Sequence, residues 1–383
     1  MAQFIVPREI YHGIGTIEKL AGVKGKKAVI VTGEGAMVKT GVVEKVKHIL
    51  LKSGIQSATF TGVEPDPSIE TVFKGVEMFN AEQPDIIIGL GGCSAIDAAK
   101  CMWVFYEYPQ TKFEDIIPPF TIKPLRNKAI FIAIPSTSGT GTEVTCVSVI
   151  TDRAKGVKYP IVSYELTPDI AIVDGEICVS MPPHVTAHTG LDALAHNVEA
   201  YVAALADVYT DALTLKSVEL IFKYLPEAYK NGKNLDARQA MHDASCLAGM
   251  SFTNAILGIV HSMAHQLGGM YGIPHGCANA ILMPNVIRFN SKTTKKYEDL
   301  AKLLGKQSCE DFAQQVEKLR AEVGVPNSIK DYGIDEKLWN EKLEYISANA
   351  LADPCTGTNP RKITLDEMKK LFQFTFDGKK ADF

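Results

Sequence analysis

The chain has 383 residues, 46% hydrophobic and 22% charged, with a formal net charge of −4; this is the composition of a folded globular protein long enough for two domains. So small a charge gives no reason to expect nucleic acid or an anionic membrane as a partner. No stretch reaches the about 18 apolar residues of a membrane-spanning helix, and the first residues, MAQFIVPRE, lack the basic-then-apolar pattern of a signal peptide.

The first half alternates strand and helix patterns. Strands are predicted at 28–32, 58–61, 85–90 and 129–134. The last two are apolar throughout, as strands buried on both faces are. Helices are predicted over 38–52, over 68–80 and from Ser94 onward. Residues 147–150 and 159–162 look like a hairpin, and 170–173 like one more strand. This alternation implies a parallel sheet covered by helices.

After Met181-Pro182-Pro183 nearly everything reads as helix, over 184–203, 208–224, 235–256, 258–270, 276–289, 294–304, 309–323, 336–350 and 365–375. The expected architecture is an α/β dinucleotide-binding domain over 1–183 and an all-α domain over 184–383, which carries the metal and the catalysis. The eight cysteines are scattered without a CxxC pair. In a chain that can build its own core this reads as reduced thiols in a cytoplasmic protein.

Two loops follow buried strands. The run from Gly89 to Lys100, GLGGCSAIDAAK, opens a helix. Its glycines let the backbone turn sharply and approach a ligand. Ser94 and Asp97 have the spacing of a capping box with Ser94 as N-cap, and the amides of such a helix start suit a pyrophosphate. Taken alone, the cluster reads equally well as a tight turn with a good cap. The second loop, Pro135 to Glu143 (PSTSGTGTE), concentrates hydroxyls and glycine after another buried strand. Two such loops at strand C-terminal ends match where open α/β sheets bind ligands.

In the helical half, Asp192 and His196 lie at i and i+4 and share a helix face; His261 and His265 repeat the spacing, and His275 follows beside Gly276. A single helical histidine is ordinarily a packed or surface residue. These four, however, sit among apolar or small neighbours, where several imidazoles and a carboxylate are costly to bury unless paired or metal-bound. One carboxylate and three imidazoles suit a divalent transition metal such as Fe²⁺, Zn²⁺, Ni²⁺ or Mn²⁺. Zinc tends to close at four ligands, so the need to admit a substrate tilts the choice to iron, with zinc the alternative. No HExxH motif is present, and no carboxylate stands beside the ligand pairs as an evident general base, which argues against a hydrolytic site.

These motifs resemble those of the iron-containing (type III) alcohol dehydrogenases, especially clostridial-type butanol dehydrogenases and the alcohol dehydrogenase half of bifunctional aldehyde–alcohol dehydrogenases. The matching stretches run nearly end to end: Gly91 to Lys100, the 135–145 loop, Tyr159-Pro160, Leu166 to Asp169, Ile172 to Asp174, Gly190 to His196, His261 to His265, Pro274 to Gly276 and Asp353 to Gly357. The resemblance implies a dehydroquinate-synthase-like fold, a catalytic metal on Asp192, His196, His261 and His275, and a catalytic His265 near the nicotinamide. It implies NAD(P) contacts from Gly33, Asp66, Gly91, Gly92, Cys93, Ser94, Ala95, Ser136, Thr137, Val149, Lys158 and Ile177. It also implies a homodimer or larger homo-oligomer.

Two departures from the family pattern bear on the cofactor. Cys93 stands where the family usually has a third glycine, so its side chain either crowds the pyrophosphate or points away. Gly33 stands where NAD-preferring relatives carry an aspartate, which would repel a 2′-phosphate. Lys39 nearby favours that phosphate and Glu34 opposes it; the balance leans to NADP(H).

The expected activity is interconversion of a short-chain primary alcohol, or a diol, with its aldehyde by hydride transfer to and from NAD(P), with Phe252, Leu257 and Ile259 as substrate walls. The alternative is an NAD- and metal-dependent lyase of the dehydroquinate-synthase type. It is disfavoured because the ligand helices are poor in the lysine and arginine that a substrate phosphate requires.

Overall fold

The computed structural model describes residues 3–383. It divides into two compact units, one built on residues 4–181 and the other on 182–383.

The first unit is a six-stranded, all-parallel sheet with strand order β1-β8-β5-β4-β2-β3. The strands are β1 (Glu9–His12), β2 (Lys27–Val31), β3 (Gln56–Phe60), β4 (Ile86–Gly91), β5 (Ile130–Pro135) and β8 (Ile170–Val173). β6 (Val147–Asp152) and β7 (Val157–Val162) form a separate antiparallel hairpin. Successive strand side chains point to opposite faces, so the apolar runs feed two cores. Val29, Val31, Ile87, Phe131 and Ala133 pack on one side with α2 (Ile69–Glu82) and α3 (Cys93–Glu107). Ala28, Ile30, Ile86, Ile88, Ile132 and Ile134 pack on the other with α1 (Val42–Lys52).

Three details depart from the sequence reading. β1 was not foreseen: it is a four-residue edge strand of mixed exposure, too short to show a period. It is tied in by β8 and by Asp174, which accepts from Gly15 N and Ile17 N at 3.1 Å each. The single helix expected over 38–52 is broken at Gly41, whose φ of +79° ends one helical turn before α1 starts. The helix expected over 208–224 continues to Lys230 through Pro226.

Glu64 shows how this unit responds to acid. Burial pushes its carboxyl up, but hydrogen bonds from Ser68 N at 3.0 Å and Thr71 Oγ1 at 2.7 Å outweigh that and hold it down at about 2. A carboxyl depressed in the folded state stabilises the protein above its ordinary pKa of about 4.5, and that contribution is lost as pH falls through the folded value. A Glu64→Gln variant is therefore expected to melt below wild type at neutral pH, with the gap closing as pH falls from about 5 to 2. A gap independent of pH would contradict this.

The second unit is helical: α4 (Pro183–Val202), α5 (Val208–Lys230), α6 (Leu235–Ala255), α7 (Ile259–Tyr271), α8 (His275–Asn290), α9 (Tyr297–Leu303), α10 (Cys309–Glu322), α11 (Glu336–Ala352) and α12 (Leu365–Asp377). From Gly190 to Val202 every residue of α4 is buried, as is every residue of α8 from Gly276 onward. A helix buried all round is a core element, and its polar residues need partners. Among the described residues no single helix is long and apolar enough to cross a membrane.

Candidate metal centre and cofactor loops

In the first unit β4 and β5 are neighbours, with Gly91 opposite Pro135. The two loops expected to bind phosphate thus leave the same end of adjacent strands, and Ser136 N donates to Gly91 O at 2.8 Å. Gly91 has φ +146°, and a Cβ there would lie 3.0 Å from that of Ala95, so a side chain is excluded twice over.

The expected N-cap is corrected. α3 begins at Cys93 with Gly92 as its N-cap, and no side chain caps it. Ser94 is already inside the helix, and its Oγ accepts from Asp66 N at 3.3 Å. Asp97 is no capping partner either. It is buried and accepts from Thr142 Oγ1 at 2.7 Å and Val149 N at 2.9 Å. The first-turn amides of α3 are thereby left uncapped by the protein's side chains, as an anion site requires.

The remaining predicted residues fall around these loops. Gly92 faces Thr137, whose side chain would lie 3.6 Å from an added Cβ. Lys158 pairs with Asp66 at 2.7 Å. Ala95 is buried in the first turn of α3. Ile177 is buried in the 3₁₀ turn Gly175–Ser180, and the adjacent Cys178 Sγ accepts from Ser138 Oγ of the second loop at 3.7 Å. Gly33 lies two residues past the end of β2, where a Cβ would sit 2.7 Å from Val63 O. The Cys93 thiol is turned along the helix towards Asp97, 3.4 Å away. Burial and the Asp97 charge push its pKa well up, so it stays a protonated, unreactive thiol.

Lys100 is the residue of this region whose role sequence reasoning missed. Its side chain is fully buried, and Nζ donates to the carbonyls of Thr142 at 2.7 Å, Thr145 at 2.8 Å and Val147 at 2.9 Å. It follows Asp97 by three residues on the same helix face, which is the one local signal that the two act together.

In the second unit the predicted ligand residues come from α4, α7 and the first residue of α8. Donor atoms of Asp192, His261 and His275 all lie within 4.8 Å of one another. Asp192 Oδ1 is 3.9 Å from His261 Nε2 and 3.6 Å from His275 Nε2. His196 Nδ1 is 3.9 Å from the other Asp192 oxygen, and its ring packs on Phe252 and His261 at centroid distances of 4.4 and 4.5 Å. His265 is not drawn into this group. It is 42% exposed, stacks on His275 at 5.6 Å, and its Nδ1 meets Asp353 Oδ2 at 2.8 Å.

The donor set fits a cation. Asn279 Nδ2 donates to Asp192 Oδ1 at 2.7 Å and lies 3.2 Å from both His261 Nε2 and His275 Nε2. An amide carries two hydrogens, so Asn279 does not by itself account for all three atoms. Burial and the neighbouring imidazoles push the His261 pKa well down, leaving it neutral with a lone pair to offer. Imidazoles converging on a buried carboxylate are the chemistry of a divalent metal site.

Asn279 and Glu199 were missed in the sequence; Glu199 is a carboxylate beside the ligand pairs, engaged by Val260 N and His261. Glu199 follows Asp192 by seven residues and His196 by three, on the same face of α4. It is buried, and its carboxylate accepts from Val260 N at 2.6 Å and contacts His261 Nδ1. Burial, opposed by the backbone N–H groups of Val260 and His261, pushes the Glu199 carboxyl up to about 8; a cation bound at Asp192, His261 and His275 would favour its ionised form.

α4 and α8 touch at Gly276, where an added Cβ would sit 2.0 Å from His188 O, a backbone atom. Gly276→Ala must therefore push α8 off α4 and carry His275 away from Asp192. It is expected to destabilise the metal-free protein by about 3 kcal/mol, read by thermal melting, and to weaken metal binding. A normal melt with normal metal affinity would contradict the close approach.

Comparisons with known proteins agree with this geometry. The family model for iron-containing alcohol dehydrogenases matches residues 7–175, and that for the C-terminal part of Fe-containing alcohol dehydrogenases matches 186–376. The chain is 50% identical over 390 residues to the NADPH-dependent butanol dehydrogenase of Clostridium saccharobutylicum, covering 100% of both. It is 38% identical over 411 residues to the bifunctional aldehyde-alcohol dehydrogenase of Escherichia coli K12, spanning 98% of this chain but 46% of that longer one. The structure of an iron-containing alcohol dehydrogenase from Thermococcus thioreducens superposes with a TM-score of 0.92 at 32% identity, covering 98% of this chain and 100% of that one. The parallel α/β unit and the helical unit thus correspond to the two parts matched by these family models. The chain belongs to the iron-containing alcohol dehydrogenase family, which sets aside the lyase alternative.

Proposed function

We propose that the protein interconverts a short-chain primary alcohol or diol with its aldehyde, using NADP(H) and a divalent metal, with iron favoured over zinc. The observation that carries this reading is the convergence of Asp192, His261 and His275 donor atoms within 4.8 Å, in a chain of this family. His196 completes the ligand set. A metal bound there would supply Lewis-acid polarisation of the substrate oxygen.

The rest is work for this chain's own side chains. Exposed His265 relays the proton; Asp353 holds its Nδ1, leaving Nε2 to exchange. Phe252, stacked on His196, offers an apolar wall to an aliphatic substrate. The uncapped start of α3 and the Ser136–Thr137 loop receive the pyrophosphate. Gly33, with no carboxylate to repel a 2′-phosphate, favours NADP(H), in keeping with the NADPH dependence of the Clostridium saccharobutylicum relative. In this reading residues 1–183 hold the cofactor and 184–383 the metal, and the enzyme works in the cytoplasm as a homo-oligomer.

The test is oxidation of NADPH and of NADH with butanal, on protein loaded anaerobically with Fe²⁺ or Zn²⁺. Metal-dependent turnover with kcat/KM for NADPH at least about tenfold above NADH, worth about 1.4 kcal/mol, is expected. Silence with both cofactors and both metals, across butanal, longer aldehydes and diols, would sink the proposal.

A further inference from the structure

The turn between α6 and α7 holds the least comfortable backbone of the second unit. Ile256 has φ +66° and ψ −170°, a region that β-branched residues avoid. Such a conformation persists only where its surroundings over-determine it. Two residues on, Gly258 has no room for a side chain: a Cβ would lie 2.9 Å from Asn359 Oδ1 and 3.0 Å from Glu199 Oε1.

Three groups hold the turn. Thr358 Oγ1 donates to Leu257 O at 2.6 Å, Ile259 N donates to Asn359 Oδ1 at 3.5 Å, and Val260 N donates to Glu199 Oε1 at 2.6 Å. One residue later the second Glu199 oxygen meets His261 Nδ1. Asn279 Nδ2, which donates to Asp192, also faces His261 Nε2. Nε2 is therefore the lone-pair nitrogen of His261, and its proton sits on Nδ1, towards Glu199.

We propose that Glu199 is the positioning residue of the metal centre: a single carboxylate that fixes where α7 begins and turns the lone pair of His261 towards Asp192 and His275. The inference rests on reading Asp192, His261 and His275 as a metal site, and adds to it a residue that touches none of the metal's coordination positions. A carboxamide cannot replace this carboxylate. With its one oxygen on Val260 N, its NH₂ faces His261 Nδ1, demands the opposite tautomer and aims an N–H at the cluster.

The test uses the full-length protein. Zn²⁺ affinity is measured by chelator competition for wild type and Glu199→Gln, alongside melts of the metal-free proteins and ¹⁵N-histidine NMR of the His261 tautomer. Glu199→Gln is expected to bind Zn²⁺ about 10–100-fold more weakly, the usual cost of losing an outer partner of a ligating histidine. The His261 proton is expected to move from Nδ1 in wild type to Nε2 in the variant. Zn²⁺ affinity within about threefold of wild type would overturn the proposal, and so would an Nε2–H tautomer in the wild-type protein. That last measurement decides the matter if Glu199→Gln does not fold. Wild-type protein that binds no divalent metal would overturn the metal-site reading itself, and the proposal with it.

Discussion

His261→Ala is expected to lose metal-dependent turnover almost entirely, with kcat/KM falling by at least about 10³-fold, or about 4 kcal/mol of transition-state stabilisation. His261 is 1% exposed and stands between two anchored groups. Its Nε2 faces the Asp192–His275 cluster, and its Nδ1 meets Glu199. Removing the imidazole deletes a ligand and leaves a buried carboxylate with only backbone partners, so stability falls as well as activity.

Treatment with a chelator separates the two effects. Metal-free wild type should be inactive yet folded, and should recover on adding Fe²⁺. The variant should not recover at any Fe²⁺ concentration, even at a temperature where its melt shows it folded. Retention of a tenth of wild-type activity would remove His261 from the ligand set.

The second large effect is structural and lies in the other unit. Lys100→Met is expected to destabilise the protein by about 3–5 kcal/mol, the cost of removing one partner from a buried charge network. The Lys100 ammonium is fully buried; it satisfies the carbonyls of Thr142, Thr145 and Val147 and offsets the buried Asp97. Methionine fills the volume but donates nothing, so three carbonyls lose a donor and the buried Asp97 carboxylate loses a compensating charge in a place water does not reach.

At about 2–4 °C per kcal/mol for a unit of this size, the melting point should drop by about 6–20 °C. The 142–147 segment should loosen with it, and NADPH affinity should fall because that segment continues the second phosphate loop. A melting point within about 2 °C of wild type would show that the lysine is dispensable.

Much of this could be read along the chain. The parallel sheet was legible because Ile86–Leu90 and Ile130–Ile134 are apolar without alternation, which a strand satisfies only when covered on both faces. Asp192 with His196, and His261 with His265, were visible because a helix repeats its face every three to four residues. Among the described residues, the nine helices of the second unit longer than one turn were expected, because polar caps and apolar stripes are local signals, although Val208–Lys230 runs six residues past its expected end; the single turn Ile329–Tyr332 was not expected.

The roles within those patterns were not local. His265 shares its spacing with His196, yet it turns to Asp353, 88 residues on, and stays exposed. Ser94 and Asp97 have the spacing of a capping box, but the chain starts α3 earlier and spends Asp97 on Thr142 and Val149, 45 and 52 residues away.

What the sequence by itself determined is the two-part architecture, the pair of phosphate-type loops and the residue types of a metal site, since each follows from periodicity and composition within one element. What only the tertiary structure decided is which groups stand behind those residues: Glu199 on His261 across 62 residues, Asn279 on Asp192 across 87, and Lys100 on the loop 42 to 47 residues ahead. The reason is physical. A buried polar atom must find a partner once water is excluded, and which partner it finds depends on the close packing of helices far apart in the chain, a relation that no period along the sequence carries.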